Sequence, residues 1–130
     1  MFTIQQIIQA QSKVKSGAYF PKLIQEMKSF AITQYENYVS NGKSQYFGAN
    51  SNIVQGESKY TKLPVNRNSS AEKLKQALSI HQIGKTDYKT FCAHSAETGV
   101  EKWISNLQEM TFSYFDIDGN ILVVESIPIP

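Results

Sequence analysis

The chain has 130 residues, of which 41% are hydrophobic, 12% aromatic and 18% charged, with a net charge of +2, so one compact domain is expected and a disordered segment is excluded. No apolar run approaches the roughly twenty residues of a membrane span, and a single Cys excludes an internal disulfide. The charge is uneven: residues 1–65 carry seven Lys against three Glu, and residues 66–130 carry six Lys or Arg against eight acids. That allows a mildly basic face on the first half, but the total is too small to demand a nucleic-acid partner. The opening Met1-Phe2-Thr3-Ile4 has no basic leader or cleavage site, and cytoplasmic residence is the expectation.

Thr3 is a competent N-cap for a helix with Ile4, Ile7, Ile8, Gln11 and Val14 on one stripe, ended by Gly17. A second helix is expected from Phe20-Pro21 through Leu23, Ile24, Met27 and Phe30, because proline is tolerated in a first turn. From Ile32 the period becomes two, with Tyr35 and Val39 on one strand face and Ile32, Glu36 and Tyr38 on the other. Asn41-Gly42 is a hairpin signal, since both residues tolerate positive φ, and Lys43 to Phe47 is the return strand. Gly48 to Ser51 is a further turn, and Asn52 to Tyr60 is a polar strand, interrupted at Gly56 and placed near an edge.

After a loop over Leu63–Asn68, Ser69-Ser70-Ala71-Glu72 matches a capping box for a third helix, with Leu74, Leu78 and His81 inward and Gly84 as its stop. Thr86 is the expected cap of a fourth helix with Tyr88, Phe91, Cys92 and Ser95 inward, closed by Gly99. Three strands are expected over Val100–Leu107, Thr111–Phe115 and Ile121–Ser126, the last two joined through Asp118-Gly119.

The second half repeats the order of the first. A shift of 68 positions lays Leu23 on Phe91, Ile24 on Cys92, Tyr35 on Trp103 and Tyr46-Phe47 on Tyr114-Phe115, and a shift of 67 lays Val14 on His81 and Gly17 on Gly84. The expected class is therefore α+β: two pseudo-repeated units, about 1–62 and 69–130, each of two helices followed by three mainly antiparallel strands. The two sheets are expected either to pair or to stack, within a single domain over 1–130.

Residue types that carry chemistry gather in the second unit. Cys92 and His94, two residues apart on a helix, point about 200° away from each other, which removes a local thiolate–imidazole pair. Cys92 stands where the first unit has Ile24, and His81 where it has Val14, so packing is their default role. Cys92, His94 and Glu97 lack a closed ligand set at any familiar spacing, and neither a metal nor a cofactor is implied. Gly84-Lys85-Thr86 imitates the end of a phosphate loop, but Ser79 stands where its first glycine belongs. Asp116-Ile117-Asp118-Gly119-Asn120 has glycine at the fourth position of a calcium loop instead of the sixth and is expected to be a hairpin turn.

The aromatic strands are the remaining signal. Alternation makes some of their rings face away from the helices, and Tyr38, Tyr46, Trp103 and Tyr114 are the candidates for a binding or dimer surface. Ser12 to Gly17 followed by Tyr19-Phe20-Pro21, Tyr38 to Gly42, Tyr46-Phe47-Gly48, His81 to Tyr88 with Phe91-Cys92, and Gly99 to Trp103 together resemble the YdfO/YbcV-like bacterial and prophage family, a domain of unknown function sometimes labelled phage envelope protein. The resemblance spans nearly the whole chain and implies a stand-alone α+β domain with no activity, cofactor or catalytic residue to carry over. The leading expectation is a non-enzymatic cytoplasmic interaction module with a protein partner or a second copy of itself. The competing one is a small enzyme or ligand sensor using His81 and Cys92 between helices and sheet.

Overall fold

The structure, a computed structural model, describes residues 2–13, 20–56, 58 and 62–127. Helix α1 (Ile4–Gln11) opens on a reciprocal capping box: the Thr3 hydroxyl accepts from the Gln6 N–H, and the Gln6 side-chain oxygen accepts from the Thr3 N–H. Its buried stripe is Ile7 and Ala10, while Ile8, expected on that stripe, is exposed. The helix ends at Gln11 with Ser12 as its C-cap, earlier than the expected stop at Gly17; Val14 and Gly17 themselves lie outside the described residues. Helix α2 (Phe20–Ser29) buries Leu23, Ile24 and Met27.

Two sets of three strands follow the two helix pairs. The first is β1 (Ile32–Tyr38), β2 (Ser44–Gly48) and β3 (Ile53–Gly56); then come α3 (Ala71–Gln82), α4 (Tyr88–Glu97), β4 (Lys102–Asn106), β5 (Thr111–Phe115) and β6 (Ile121–Ser126). All six strands join one antiparallel sheet in the order β3-β2-β1-β4-β5-β6, so the fold is α+β with β1 against β4 at its centre. β3 is an edge strand, as its polar sequence predicts, but it ends at Gly56: Ser58, expected within it, is not in a strand, and residues 57, 59 and 60 lie outside the described residues.

Cross-strand partners share a face, which fixes what lies beneath the helices. Tyr35 pairs with Tyr46 and with Ser105, Asn37 with Trp103, and Trp103 with Tyr114. Tyr35, Tyr46, Trp103 and Tyr114 are buried in one cluster with Ile7, Ile24 and Met27 from the first helix pair and Leu74, Phe91 and Cys92 from the second, and Asn37 and Ser105 are buried on the same face. Both helix pairs thus cover the same face. Each fully buried aliphatic there contributes about 1.5–3 kcal/mol. Ile32, expected on the face opposite Tyr35, is buried, because the register shifts between Ile32 and Gln34 and a bulge re-aims the side chain.

Two helix starts fall one residue later than the sequence pattern predicts. The N-cap of α3 is Ser70, which accepts from the Lys73 N–H, so Glu72 sits one position short of closing a box. The cap of α4 is Asp87, whose carboxylate accepts from the Thr90 N–H at 2.7 Å, leaving the Thr86 hydroxyl for His81. At the far end of α4 the chain turns on Gly99 at φ +95°. There the segment joining the two halves is pinned to the helix: Asn66 N–H donates to the Ala96 carbonyl and Ser70 N–H to the Thr98 carbonyl, both at 2.9 Å.

Candidate functional site

The residues with chemical potential in the second half are held by packing contacts. The His81 imidazole stacks on Phe91, with ring centres 4.3 Å apart and planes 15° from parallel. Its Nδ1 lies 3.2 Å from the Thr86 carbonyl oxygen and 3.1 Å from the Thr86 hydroxyl. Burial of the ring lowers its pKa below the usual histidine value, and the Thr86 carbonyl and the Asp87 charge only partly oppose this. Cys92 is fully buried in the core. His94 lies on α4 two residues further on. Among the described residues no group of three or more His, Cys, Asp or Glu could hold a metal ion.

The four sequence-predicted binding aromatics separate into two groups. Tyr46, Trp103 and Tyr114 are 1%, 5% and 4% exposed and lie beneath the helices. Alternation correctly separates two faces of each strand, but the register puts these rings on the covered one, out of reach of a partner docking on the sheet. Tyr46 stacks on Tyr35 at 5.5 Å, and its hydroxyl accepts from Gln11 Nε2 at 2.9 Å. Trp103 packs between Phe91 and Tyr114. The Tyr114 hydroxyl donates to Glu125 at 3.0 Å, and the other oxygen of that carboxylate accepts from Gln82. Burial pushes all three phenols, Tyr35, Tyr46 and Tyr114, above their usual pKa, and the Glu125 charge adds to the rise at Tyr114, so they serve as neutral packing groups.

Tyr38 points the other way, onto the face that no helix among the described residues covers. The pairing register lays three rows across this open face. The first runs Ile53, Phe47, Gln34, Asn106, Thr111, Ser126. The second runs Gln55, Gln45, Glu36, Ile104, Ser113, Val124, and the third runs Tyr38, Lys102, Phe115, Ile121. Ile53, Ile121 and Val124 are 56%, 58% and 54% exposed, and Phe47, Ile104 and Phe115 are half-buried.

The centre of the face is polar and internally neutralised. Lys102 Nζ lies 3.6 Å from Glu36 Oε1 and 5.7 and 5.5 Å from the Tyr38 and Phe115 ring centres. The Tyr38 hydroxyl donates to the same Glu36 oxygen at 3.4 Å. An open cleft of about 250 Å³ indents the end of the β1–β2–β3 ladder, lined by Tyr38, Asn41, Lys43, Ser44, Gln45 and Gln55. Sequence reasoning singled out Tyr38 on this face and missed Phe47, Ile53, Ile104, Phe115 and Ile121. The signal that could have found them is their alternation with Tyr46, Trp103 and Tyr114 on the same strands.

Residues 8–126 match the family described as Protein of unknown function (DUF1398). The chain belongs to this family. The DUF1398 match begins within α1 and ends at the last residue of β6, so the family's unit includes the whole six-stranded sheet and not one half of it. A relative in Escherichia coli (strain K12), described as "Uncharacterized protein YcgX", is 23% identical over 115 residues, covering 88% of this chain and 86% of that protein. No helix among the described residues of this DUF1398 chain is long and apolar enough to cross a membrane.

Proposed function

We propose that the protein is a non-enzymatic interaction module of the cytoplasm that binds a protein partner through the open face of its sheet. The observation that carries the reading is the composition of that face: two cross-strand apolar pairs, Phe47 with Ile53 and Phe115 with Ile121, lie uncovered around a Glu36–Lys102 centre. An exposed apolar set rimmed by amides and hydroxyls is the usual make-up of a docking surface. Tyr38 belongs to it, while Tyr46, Trp103 and Tyr114 hold the sheet to its helices from behind. Nucleic acid fits poorly, because the one cation in the three rows is tied to a carboxylate.

The reading includes a single domain over 1–130 built from two pseudo-repeated units, about 1–62 and 69–130. Its support is the register. Tyr35↔Tyr46 and Trp103↔Tyr114 are related by the same shift of 68, and the central pairing sets Glu36 opposite Ile104, the residue 68 positions on. A local twofold axis through that pair relates one half to the other, including the two apolar pairs. The YdfO/YbcV-like resemblance adds a prophage-related context to the proposal.

The test uses Ile53→Lys with Ile121→Lys, since both side chains are largely exposed and lysine is well tolerated on edge strands. The double variant is expected to melt like the wild type and to lose the partner that wild-type protein captures from its own cell. If wild type and variant recover the same proteins in the same amounts, the open face is not the docking surface.

A further inference from the structure

Resting on the open-face reading, we infer that the occupant of this face is a second copy of this chain, packed sheet against sheet. The symmetry axis lies between the two sheets, along the diagonal that joins the two apolar pairs. The first argument is the layout of the rows. Phe47 and Ile53 fill the β2–β3 end of the first row, and Phe115 and Ile121 fill the β5–β6 end of the third, at opposite corners of the face. A twofold axis along that diagonal lays each apolar pair on its own copy. It also exchanges the remaining corners, so that Asn106 and Thr111 meet Tyr38 of the second copy. Apolar groups then face apolar groups and polar groups face polar ones, which is the self-complementarity an isologous interface requires.

The second argument is charge. The protein carries +2 overall, yet the only charged side chains in the three rows, Glu36 and Lys102, are paired within one copy. Each copy thus brings a neutralised ion pair, and the face adds no net charge to the contact.

The third is area. Six strands about 4.8 Å apart and about five residues long at about 3.4 Å each give a footprint of about 500 Å² per copy. Copies related by the diagonal axis cross at about 70°, so about 300 Å² of each face overlaps, about 600 Å² in all, which is the range of a weak contact, and the dimer is expected to be concentration-dependent.

The experiment is sedimentation of the full chain from about 10 to about 500 µM, a range suited to a small interface. The expected result is a rise from the mass of one chain to that of two, absent in Ile53→Lys with Ile121→Lys at unchanged melting temperature. Cross-linking fixes the orientation. In this arrangement the two copies of residue 121 lie about 10 Å apart, the spacing of packed sheets, whereas the copies of residue 111 lie about 20 Å apart. Ile121→Cys is expected to link through a short bis-maleimide and Thr111→Cys not to, with the buried Cys92 silent in both.

A one-chain mass at every concentration overturns the second-copy inference, as does a dimer that survives the double substitution or links equally well through residue 111. If the wild type stays at one chain but its partner capture still depends on Ile53 and Ile121, only the second copy is overturned. If capture is also indifferent to the substitutions, the open-face reading falls with it.

Discussion

Replacing Gly99 by Ala tests the joint that holds the two halves in register. Gly99 sits at φ +95°, and an added Cβ would lie 2.5 Å from Ser69 Cα, 2.7 Å from Ser69 Cβ and 3.1 Å from the Asn66 carbonyl oxygen. The segment it would strike is backbone tied to α4, with Asn66 Nδ2 also donating to the Glu97 carbonyl at 3.1 Å, so the neighbour cannot swing aside as a flexible side chain would. The left-handed conformation costs a non-glycine residue about 1–2 kcal/mol, and forcing a methyl into a filled site about 1–3 kcal/mol more. The sum is about 2–5 kcal/mol out of a stability expected at about 5–15 kcal/mol. At about 2.1 cal/mol/K per residue, the unfolding entropy of 130 residues converts this to a fall in Tm of about 7–18 °C. Gly119→Ala is the control, because its φ is +86° but no atom lies within 4 Å of the new methyl. Only the backbone cost of about 1–2 kcal/mol applies there, a fall of about 4–7 °C. Thermal and urea unfolding of both variants measure the difference, and equal losses would refute the packing of the joining segment against α4.

Ser70→Ala is expected to cost about 0.5–2 kcal/mol through loss of the α3 cap, and Ser69→Ala much less; urea midpoints compare them, and the reverse order would move the cap back to Ser69. The folded-state pKa of His81 is below its unfolded value of about 6.5, so the unfolded chain binds the proton more readily. The stability His81 contributes is therefore complete above about pH 6.5 and declines as pH falls through the folded-state value. An NMR titration checks the midpoint, and a His81 midpoint above 6.5 would contradict the burial. Cys92 is expected to react with a thiol reagent only as fast as the protein unfolds, and rapid reaction of the native protein would favour the enzyme or sensor reading on His81 and Cys92.

Local signals carried far in this sequence because each has a short-range cause. Thr3 caps α1 as expected, Gly84, Gly99 and Gly119 adopt the positive φ their turns need, and β5 and β6 run over the predicted residues. The misplaced starts of α3 and α4 come from neighbouring residues that can both cap: Ser69 beside Ser70, and Thr86 beside Asp87. The sequence could not choose between them, since the choice depends on where the preceding loop is tied down. Ile32 landed in the core through a bulge, which no periodicity announces. The larger gap concerned the faces. Alternation set Tyr46 and Phe47 on opposite sides of β2, and Tyr114 and Phe115 on opposite sides of β5, yet which side the helices cover is decided by pairing between strands far apart in the chain. Hence Tyr38 was legible as a candidate for the uncovered face, and the Phe47–Ile53 and Phe115–Ile121 pairs were not.

The most direct measurement of the open-face account is carbene footprinting of the protein, dilute and purified in one sample and in extract of the cell that makes it in the other. Ile53 and Ile121 report on the open face, and Ile8 and Ile83, equally exposed on the helical side, serve as controls. The account predicts that labelling in extract falls at Ile53 and Ile121 and is unchanged at Ile8 and Ile83. Equal labelling of all four in both samples, or protection confined to the helical side, would contradict it.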